Sequence, residues 1–205
     1  MAWRSGLAIL AALVLVACGA STAQPAAQSQ HSNGPRAEAV FAGGCFWSME
    51  HDFEQLPGVI DAIDGYTGGT MAHPSYEDVS TETTGHYESV RVIYDTSRLT
   101  YAQLLHYYWR HIDPTDSGGQ FCDRGPSYHT AIFVTPAQRA EAEASKTETQ
   151  QILGVPIATQ ILPLGAFWQA EDYHQDYAKK HPVEYGAYRV GCRRDAVVAA
   201  VWRGR

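Results

Sequence analysis

The sequence predicts an α+β fold of the ferredoxin-like, split βαβ type, with extra peripheral helices and an extended C-terminal tail. Short apolar runs typical of strands alternate along the chain with stretches whose apolar residues have helical spacing. Their order is strand–helix–strand–strand–helix–strand, which is the split βαβ arrangement. The 205 residues, 45% of them hydrophobic and 18% charged, suit one folded domain and exclude an intrinsically disordered chain.

The first half of this order is a strand, a helix and two strands. The run 37–42 is short and apolar and ends at a Gly-Gly turn, which predicts a strand. In 45–55 apolar residues recur every three or four positions, as in an amphipathic helix. The runs 59–66 and 88–94 predict two more strands around a long loop rich in Gly, Thr and Ser.

The second half adds helices with recognisable starts. A capping box at 100–103 opens one helix, and 135–138 opens another with a cap, a proline at its first position and a second capping box. The runs 128–134 and 157–162 predict strands. A last helix is predicted over 170–180, ahead of a proline.

Residues 1–17 have the composition of a secretory signal peptide. Arg4 is their one charge, and the apolar run 7–17 is too short to cross a bilayer as a helix. The run ends at Cys18 in Leu-Val-Ala-Cys, which resembles the bacterial lipobox. We therefore expect Cys18 to be acylated, although a chance cysteine beside an ordinary cleavage site gives the same pattern.

The domain organisation follows from composition. Residues 18–35 are predicted to be the lipidated cysteine and a flexible linker, because 19–35 contains no Asp, Glu, Lys or Arg. Residues 36–205 are predicted to form a single catalytic domain. We expect an exported, monomeric lipoprotein that faces the periplasm and is held to the inner or outer membrane by acyl chains alone.

Composition also excludes several classes of function. With 15 basic and 22 acidic residues the formal net charge is −7, which excludes the basic surface of a nucleic-acid-binding protein. Four cysteines without a Cys-x-x-Cys pair exclude a disulfide-rich scaffold, a zinc ribbon and a thioredoxin-type motif. The nine histidines form no His-Glu-x-x-His motif, so no metal is predicted, and we expect His86 and His174 to be structural hydrogen-bonding residues.

Cys45 is the first candidate catalytic residue. It follows a Gly-Gly turn between a strand and a helix, so we expect it in the first helical turn. There the unpaired N–H groups and the helix dipole stabilise a thiolate, which predicts a lowered pKa and a nucleophile. The alternative is a free cysteine that simply packs as a small apolar residue.

Three polar groups are candidates to act with this thiol. Glu88 opens the predicted strand 88–94 on its apolar face, where burial raises a carboxyl pKa and makes a general acid, unless the strand end simply reaches water. Tyr76, Asp123 and Tyr128 lie in or beside long loops, which in compact domains are often functional.

The motifs around these residues resemble those of the peptide methionine sulfoxide reductases of the A type. Gly-Cys-Phe-Trp-x-x-Glu, around Cys45, is the family signature. Further matching motifs follow in order at 65–69, 74–76, 84–88, 123–128 and 170–175. The resemblance covers residues 38–182 and implies an α+β roll related to the ferredoxin-like pattern.

The resemblance implies a reaction. The residue matching Cys45 attacks the sulfur of a methionine-S-sulfoxide, protein-bound or free, while that matching Glu88 donates a proton to the oxygen. Methionine is released and the cysteine becomes a sulfenic acid. This is the activity of a peptide-methionine (S)-S-oxide reductase, which here implies repair of oxidised exported proteins.

The resemblance also implies a substrate pocket. The aromatic pair matching Phe46 and Trp47 receives the methyl group of the substrate. The hydroxyls matching Tyr76 and Tyr128 bind the sulfoxide oxygen, and the carboxylate matching Asp123 organises the polar side of the pocket.

Regeneration of the thiol needs a second sulfur and a reductant. Cys192, in a Gly-flanked tail expected to be mobile, is the predicted resolving cysteine, although the best-known members have two recycling cysteines in such a tail. Cys122 beside Asp123 is the rival, either as the resolving thiol in place of Cys192 or as an inert wall residue, and direct reduction is the third possibility. The implied electron donor is thioredoxin or a thioredoxin-like protein, or dithiothreitol in vitro, without a cofactor.

Two other classes of function fit parts of the pattern. A cysteine hydrolase also places its nucleophile at a helix N-terminus and uses a histidine as base. It turns over esters or amides without a reductant. A non-enzymatic surface lipoprotein that binds a partner through exposed aromatic residues is unaffected by loss of Cys45.

Overall fold

A six-stranded β-sheet forms the centre of the computed structural model, which describes residues 1–2 and 34–205. The strands are β1 (Arg36–Gly43), β2 (Val59–Thr67), β3 (Tyr87–Asp95), β4 (Gly119–Gln120), β5 (Asp123–Arg124), β6 (Thr130–Val134), β7 (Gln160–Pro163) and β8 (Trp168–Gln169). The helices are α1 (Phe46–Glu54), α2 (Tyr76–Val79), α3 (Tyr101–Trp109), α4 (Arg139–Leu153), α5 (Tyr177–Lys180), α6 (Pro182–Gly191) and α7 (Arg194–Val201). All of these elements belong to one unit, residues 31–205.

The predicted signal peptide, the acylation of Cys18 and most of the linker fall on residues outside those described. Among the described residues, no helix combines the length and the apolar character that a membrane crossing requires.

The sheet has the strand order β7-β6-β1-β3-β2-β8, and β4 pairs with β5 in a separate ribbon. Neighbouring strands are antiparallel except for the parallel pair β6–β7. The central order β6-β1-β3-β2, with α1 between β1 and β2 and α3 between β3 and β6, is the split βαβ arrangement. The predicted fold class is therefore confirmed.

Aromatic packing joins α1 and α3 to one face of the sheet. The helical spacing of Phe46, Met49 and Phe53 turns all three side chains inward, and each is at most 1% exposed. Phe41 of β1 stacks between Phe53 and Tyr108, with 5.0 Å between ring centroids on both sides. Each such buried side chain contributes about 1.5–3 kcal/mol to folding, so this layer fixes where α1 begins.

The helix start predicted at 100–103 agrees with the structure, and two others differ. The capping box at 100–103 is present, and α3 begins at Tyr101, directly after Thr100. The box at 135–138 instead closes a separate turn, in which the side chain of Gln138 accepts the N–H of Thr135 at 3.0 Å, and α4 begins at Arg139. The helix predicted over 170–180 is helical only in α5, because Asp176 has a left-handed backbone (φ 54°) that interrupts it.

Two predicted strand starts are also too early. Tyr128 lies in a 3-10 turn, Pro126–Tyr128, ahead of β6. The run predicted over 157–162 pairs with β6 only from Gln160 onward. These shifts bring Tyr128 into a turn that faces the end of β3, and they leave the strand order unchanged.

The prediction of an extended C-terminal tail is wrong, because the chain after residue 181 forms the helices α6 and α7. Arg194 anchors them although it is only 2% exposed. Its guanidinium donates to the carbonyl oxygens of Gly43 at 3.2 Å and His111 at 2.9 Å and lies 3.6 Å from Asp52. These contacts outweigh the low helix propensity of the two glycines in α6.

Replacing Arg194 by alanine is expected to lower the free energy of unfolding by about 3–5 kcal/mol, because it leaves two carbonyl groups without their donor and removes one of the two guanidinium groups beside the buried carboxylate of Asp52. Urea unfolding measures this difference. Arg203→Ala, at an exposed position of the same terminus, is the matched control and should change stability by less than about 0.5 kcal/mol. Equal unfolding midpoints for the two variants would contradict the anchoring role.

Candidate active site

Cys45 is the N-cap of α1, one residue earlier than predicted. It follows Gly44, whose φ of +81° and close approach to Gln120 exclude a side chain: a Cβ there would lie 2.6 Å from the Cβ of Gln120. The Cys45 carbonyl accepts the N–H of Ser48 at 3.2 Å. The strand-to-helix switch therefore holds the thiol at the start of the helix, where it is 7% exposed.

The predicted lowering of the Cys45 pKa is wrong for this state of the protein. Burial raises the pKa of the thiol well above its usual value, and the nearby carboxyl of Glu88 adds to this effect. A hydrogen bond with Tyr188 opposes it. Desolvation of the thiolate thus outweighs the stabilisation that the helix N-terminus offers.

Glu88 lies beside this helix terminus and is 3% exposed, so the strand end does not reach water. The N–H of Phe46 donates to its Oε2 at 3.0 Å, and the hydroxyl of Tyr128 also hydrogen-bonds the carboxyl. Burial, together with the negative charges of Asp123 and Glu82, raises the pKa of Glu88 to about 8. A carboxyl with this pKa is protonated at neutral pH and can donate a proton.

Two tyrosine hydroxyls share this polar side of the pocket. Tyr76 begins α2, after a capping box at Ser75, and Tyr128 lies in the 3-10 turn. The two hydroxyls hydrogen-bond each other, and burial and the charge of Glu88 raise the pKa of both. Both therefore stay protonated and available as donors to an oxygen beside Glu88.

Phe46 and Trp47 form an aromatic wall next to Cys45. Trp47 stacks on Tyr177 with 3.7 Å between centroids, and its Nε1–H donates to Nδ1 of His174 at 3.0 Å. His174 also packs 4.9 Å from Phe46. Burial lowers the pKa of His174, so its ring remains neutral and accepts this bond.

His86 has the structural role expected of it. Its Nδ1 accepts the N–H of Gly69 at 3.2 Å, and its Nε2 bonds the carbonyl of Met71 at 2.9 Å. These bonds fix the loop between β2 and α2, and hence the position of Tyr76.

Tyr188 of α6 is the site residue that the sequence did not identify. Its hydroxyl donates to Oδ2 of Asp123 at 2.5 Å and hydrogen-bonds the Cys45 thiol, and its ring lies edge-on to Trp47 at 6.1 Å. Asp123 and Tyr188 are 65 residues apart, and α6 was expected to be a mobile tail. A single sequence therefore contained no signal for this contact.

Cys122 and Cys192 are joined in a disulfide, with 4.9 Å between their Cα atoms. Cys192 is the C-cap of α6 and Cys122 precedes Asp123, so the bridge lies beside the pocket. The structure thus brings the two candidate recycling cysteines together, and Cys45 is the free thiol among the described residues.

Within the described residues, one group of potential metal ligands is close enough to consider: Cys122, Asp123 and Cys192, whose ligand atoms lie within 4.8 Å of one another. Both sulfurs are bonded to each other in the disulfide, so neither is available to an ion.

Comparison with known proteins agrees with this geometry. Residues 37–205 match the family model described as peptide methionine sulfoxide reductase. Peptide methionine sulfoxide reductase MsrA 2 of Caulobacter vibrioides is 54% identical over 97% of this chain and 98% of its own length.

Solved structures of a yeast protein are also similar. The reduced form of Mxr1 from Saccharomyces cerevisiae has a TM-score of 0.69 and 32% identity, covering 72% of this chain and 87% of that one. Mxr1 in complex with Trx2 has a TM-score of 0.50 and 25% identity, covering 70% and 85%.

The family resemblance and the fold expected from it are therefore confirmed over residues 37–205. Cys45, Phe46 and Glu88 are buried together at the start of α1, with the partly buried Trp47 beside them, on a fold shared with these enzymes. The protein is a thiol-dependent oxidoreductase, and the disulfide between Cys122 and Cys192 lies beside this site. The chain belongs to the peptide methionine sulfoxide reductase family, type A.

Proposed function

We propose that this enzyme reduces methionine-S-sulfoxide, in proteins and as the free amino acid, with Cys45 as nucleophile and Glu88 as proton donor. The observation that carries the proposal is the pairing of a buried thiol and a buried, protonated carboxyl at one helix terminus, linked through the N–H of Phe46. A sulfoxide is a poor electrophile until its oxygen is protonated, so these two groups supply what the reaction needs.

The pocket gives each substituent of the sulfoxide sulfur a place. Phe46 and Trp47 receive the methyl group, while Tyr76 and Tyr128 hydrogen-bond the oxygen beside Glu88. Asp123 completes the polar side. Because methyl group, oxygen and side chain occupy different walls, one epimer at sulfur fits and the other does not.

The chemical step moves one oxygen atom from sulfur to sulfur. The Cys45 sulfur attacks the substrate sulfur as Glu88 protonates the oxygen, and the S–O bond of the substrate then breaks. Methionine leaves with its sulfur reduced by two electrons, and Cys45, oxidised by the same two electrons, carries the oxygen as a sulfenic acid.

Recycling then uses the pair Cys122–Cys192. The thiol of Cys192 attacks the sulfenic acid and expels water, and Cys122 attacks the resulting mixed disulfide to release Cys45. This leaves the disulfide seen in the structure, which a thioredoxin-like protein reduces. The Mxr1–Trx2 complex supports a partner of this class.

The location of the enzyme is part of the proposal. The lipobox-like sequence at Cys18 supports an exported lipoprotein that repairs oxidised envelope proteins. Cytosolic thioredoxin does not reach such a site, so the reductant is a membrane-relayed, thioredoxin-like protein.

The test uses a methionine sulfoxide peptide with separated S and R epimers and dithiothreitol as reductant. We expect the S epimer to be reduced and the R epimer to remain, and Cys45→Ser to abolish the reaction. No turnover of the S epimer overturns the proposed function, and equal turnover of both overturns the pocket assignment. Ester hydrolysis without a reductant would instead favour the cysteine hydrolase.

A further inference from the structure

The Cys45 thiol needs a proton acceptor of its own. The thiolate is the nucleophilic form, yet burial keeps this thiol protonated at neutral pH. Glu88 does not serve as the acceptor, because it is itself protonated and its proton goes to the sulfoxide oxygen.

Tyr188 links the thiol to a carboxylate. Its hydroxyl donates to Oδ2 of Asp123 at 2.5 Å, so the lone pairs of the hydroxyl oxygen are left to accept from the thiol of Cys45. The hydrogen bonds therefore run in one direction, from sulfur to hydroxyl to carboxylate. We propose that Asp123 is the general base for Cys45 and that Tyr188 is the hydroxyl through which the proton passes.

The position of Tyr188 between Cys45 and Asp123 does not depend on the disulfide alone. Arg189, the residue after Tyr188, donates to Asp52 of α1 at 2.7 Å, and Arg194 ties the start of α7 to the carbonyl of Gly43. α6 therefore stays beside α1 through contacts that contain no cysteine. This matters because the first turnover of the reduced enzyme takes place when Cys122 and Cys192 are both thiols.

Other charged and titratable groups face the same pocket. Those around Cys45 are Glu88 of β3, Asp64 of β2, Tyr76 of α2, Tyr128 of the 3-10 turn, Asp123 of β5 and Tyr188 of α6. Arg194 faces Asp123, and the sulfurs of Cys122 and Cys192 lie beside it. Among them, Tyr188 is the group in hydrogen-bonding contact with both the thiol and a carboxylate.

The proton balance of the reaction closes. The thiol proton moves to Tyr188 as the hydroxyl proton moves to Asp123, while the Glu88 proton moves to the sulfoxide oxygen and remains on the sulfenic acid. Asp123 then carries one proton and Glu88 has lost one. Exchange with water restores both before the next turnover.

The pH dependence of Cys45 alkylation tests the path without sulfoxide. The full chain is reduced with dithiothreitol, freed of reductant and treated with iodoacetamide from pH 5 to 7.5, and mass spectrometry follows the Cys45 peptide alone. In the wild type, transfer from thiol to Asp123 leaves the proton count unchanged, so the alkylation rate should be nearly independent of pH. In Asp123→Asn the proton goes to water, so the rate should rise about tenfold per pH unit.

Tyr188→Phe removes the hydroxyl and keeps the ring, and it should lower both alkylation and single-turnover reduction by about tenfold. Tyr185→Phe is the matched control on α6, because its hydroxyl contacts Arg189, and it should leave both rates unchanged. A wild-type rate that rises with pH as steeply as in Asp123→Asn, or unchanged rates in Tyr188→Phe, overturns the path.

This inference rests on the proposed role of Cys45 as nucleophile, but the two fail differently. If the proposed function is wrong, the wild type does not reduce the S epimer, whatever its alkylation profile. If only the proton path is wrong, the wild type reduces the S epimer and the alkylation profiles of wild type and Asp123→Asn coincide.

Discussion

Replacing Glu88 by glutamine is expected to lower kcat/KM for the sulfoxide by about 10²–10⁴-fold, the range typical of a lost general acid. Glutamine keeps the shape of the side chain and can still accept the N–H of Phe46 through its amide oxygen. It has no proton to give to the leaving oxygen. The loss therefore measures proton donation, separately from the position of the α1 terminus.

The role of Glu88 as acid also predicts how kcat/KM changes with pH. Glu88 must be protonated to act, and its pKa is raised to about 8, so wild-type kcat/KM should fall as pH rises through about 8. In Glu88→Gln the decline assigned to this group should disappear. Glu148→Gln, at an exposed position of α4, is the control that should keep the wild-type profile. A wild-type decline that persists in Glu88→Gln would exclude Glu88 as the acid.

Unfolding measurements separate this effect from damage to the fold. The folded-state pKa of Glu88 is above its unfolded value of 4.5, so its contribution to stability is fully present below about pH 4.5. That contribution is lost as pH rises to about 8. Glu88→Gln does not ionise and should therefore be more stable than the wild type above pH 8. A variant that is inactive but more stable there identifies a catalytic role.

Local sequence patterns predicted the parts of the fold that depend on neighbours along the chain. The spacing of Phe46, Met49 and Phe53 and the capping box at Thr100 are complete within a few residues, and both appear as expected. The motif resemblance likewise predicted that Cys45 and Glu88 share one site, although they are 43 positions apart in the sequence.

The properties that sequence reasoning missed depend on contacts between distant segments. The pKa of Cys45 is set by burial under α6, and α6 is held by Arg194 through atoms more than 80 residues away. The glycines of the C-terminal segment suggested a tail because their low helix propensity is visible locally, whereas the anchoring contacts are not. The contact of Tyr188 with Asp123 was missed for the same reason.

Replacing either Cys122 or Cys192 by serine is expected to leave the first turnover intact and to abolish recycling by a thioredoxin-like reductant. Neither side chain is needed for attack by Cys45, but both form the disulfide that the reductant opens. Without reductant, the reduced wild type should release about two methionines per chain, one for each of its two oxidisable sites, and either variant about one. Quantifying methionine against protein measures this ratio.

The trapped species in each variant decides which cysteine resolves the sulfenic acid. If Cys192 attacks first, Cys122→Ser should accumulate a Cys45–Cys192 disulfide after one turnover, and Cys192→Ser should retain the sulfenic acid. If Cys122 attacks first, the two results exchange, and non-reducing peptide mapping distinguishes them. Undiminished thioredoxin-dependent turnover in both variants would mean that the reductant acts on Cys45 directly. The disulfide would then only hold α6 beside the pocket, where the backbone N–H of Cys192 donates to the carbonyl of Tyr188 at 2.9 Å.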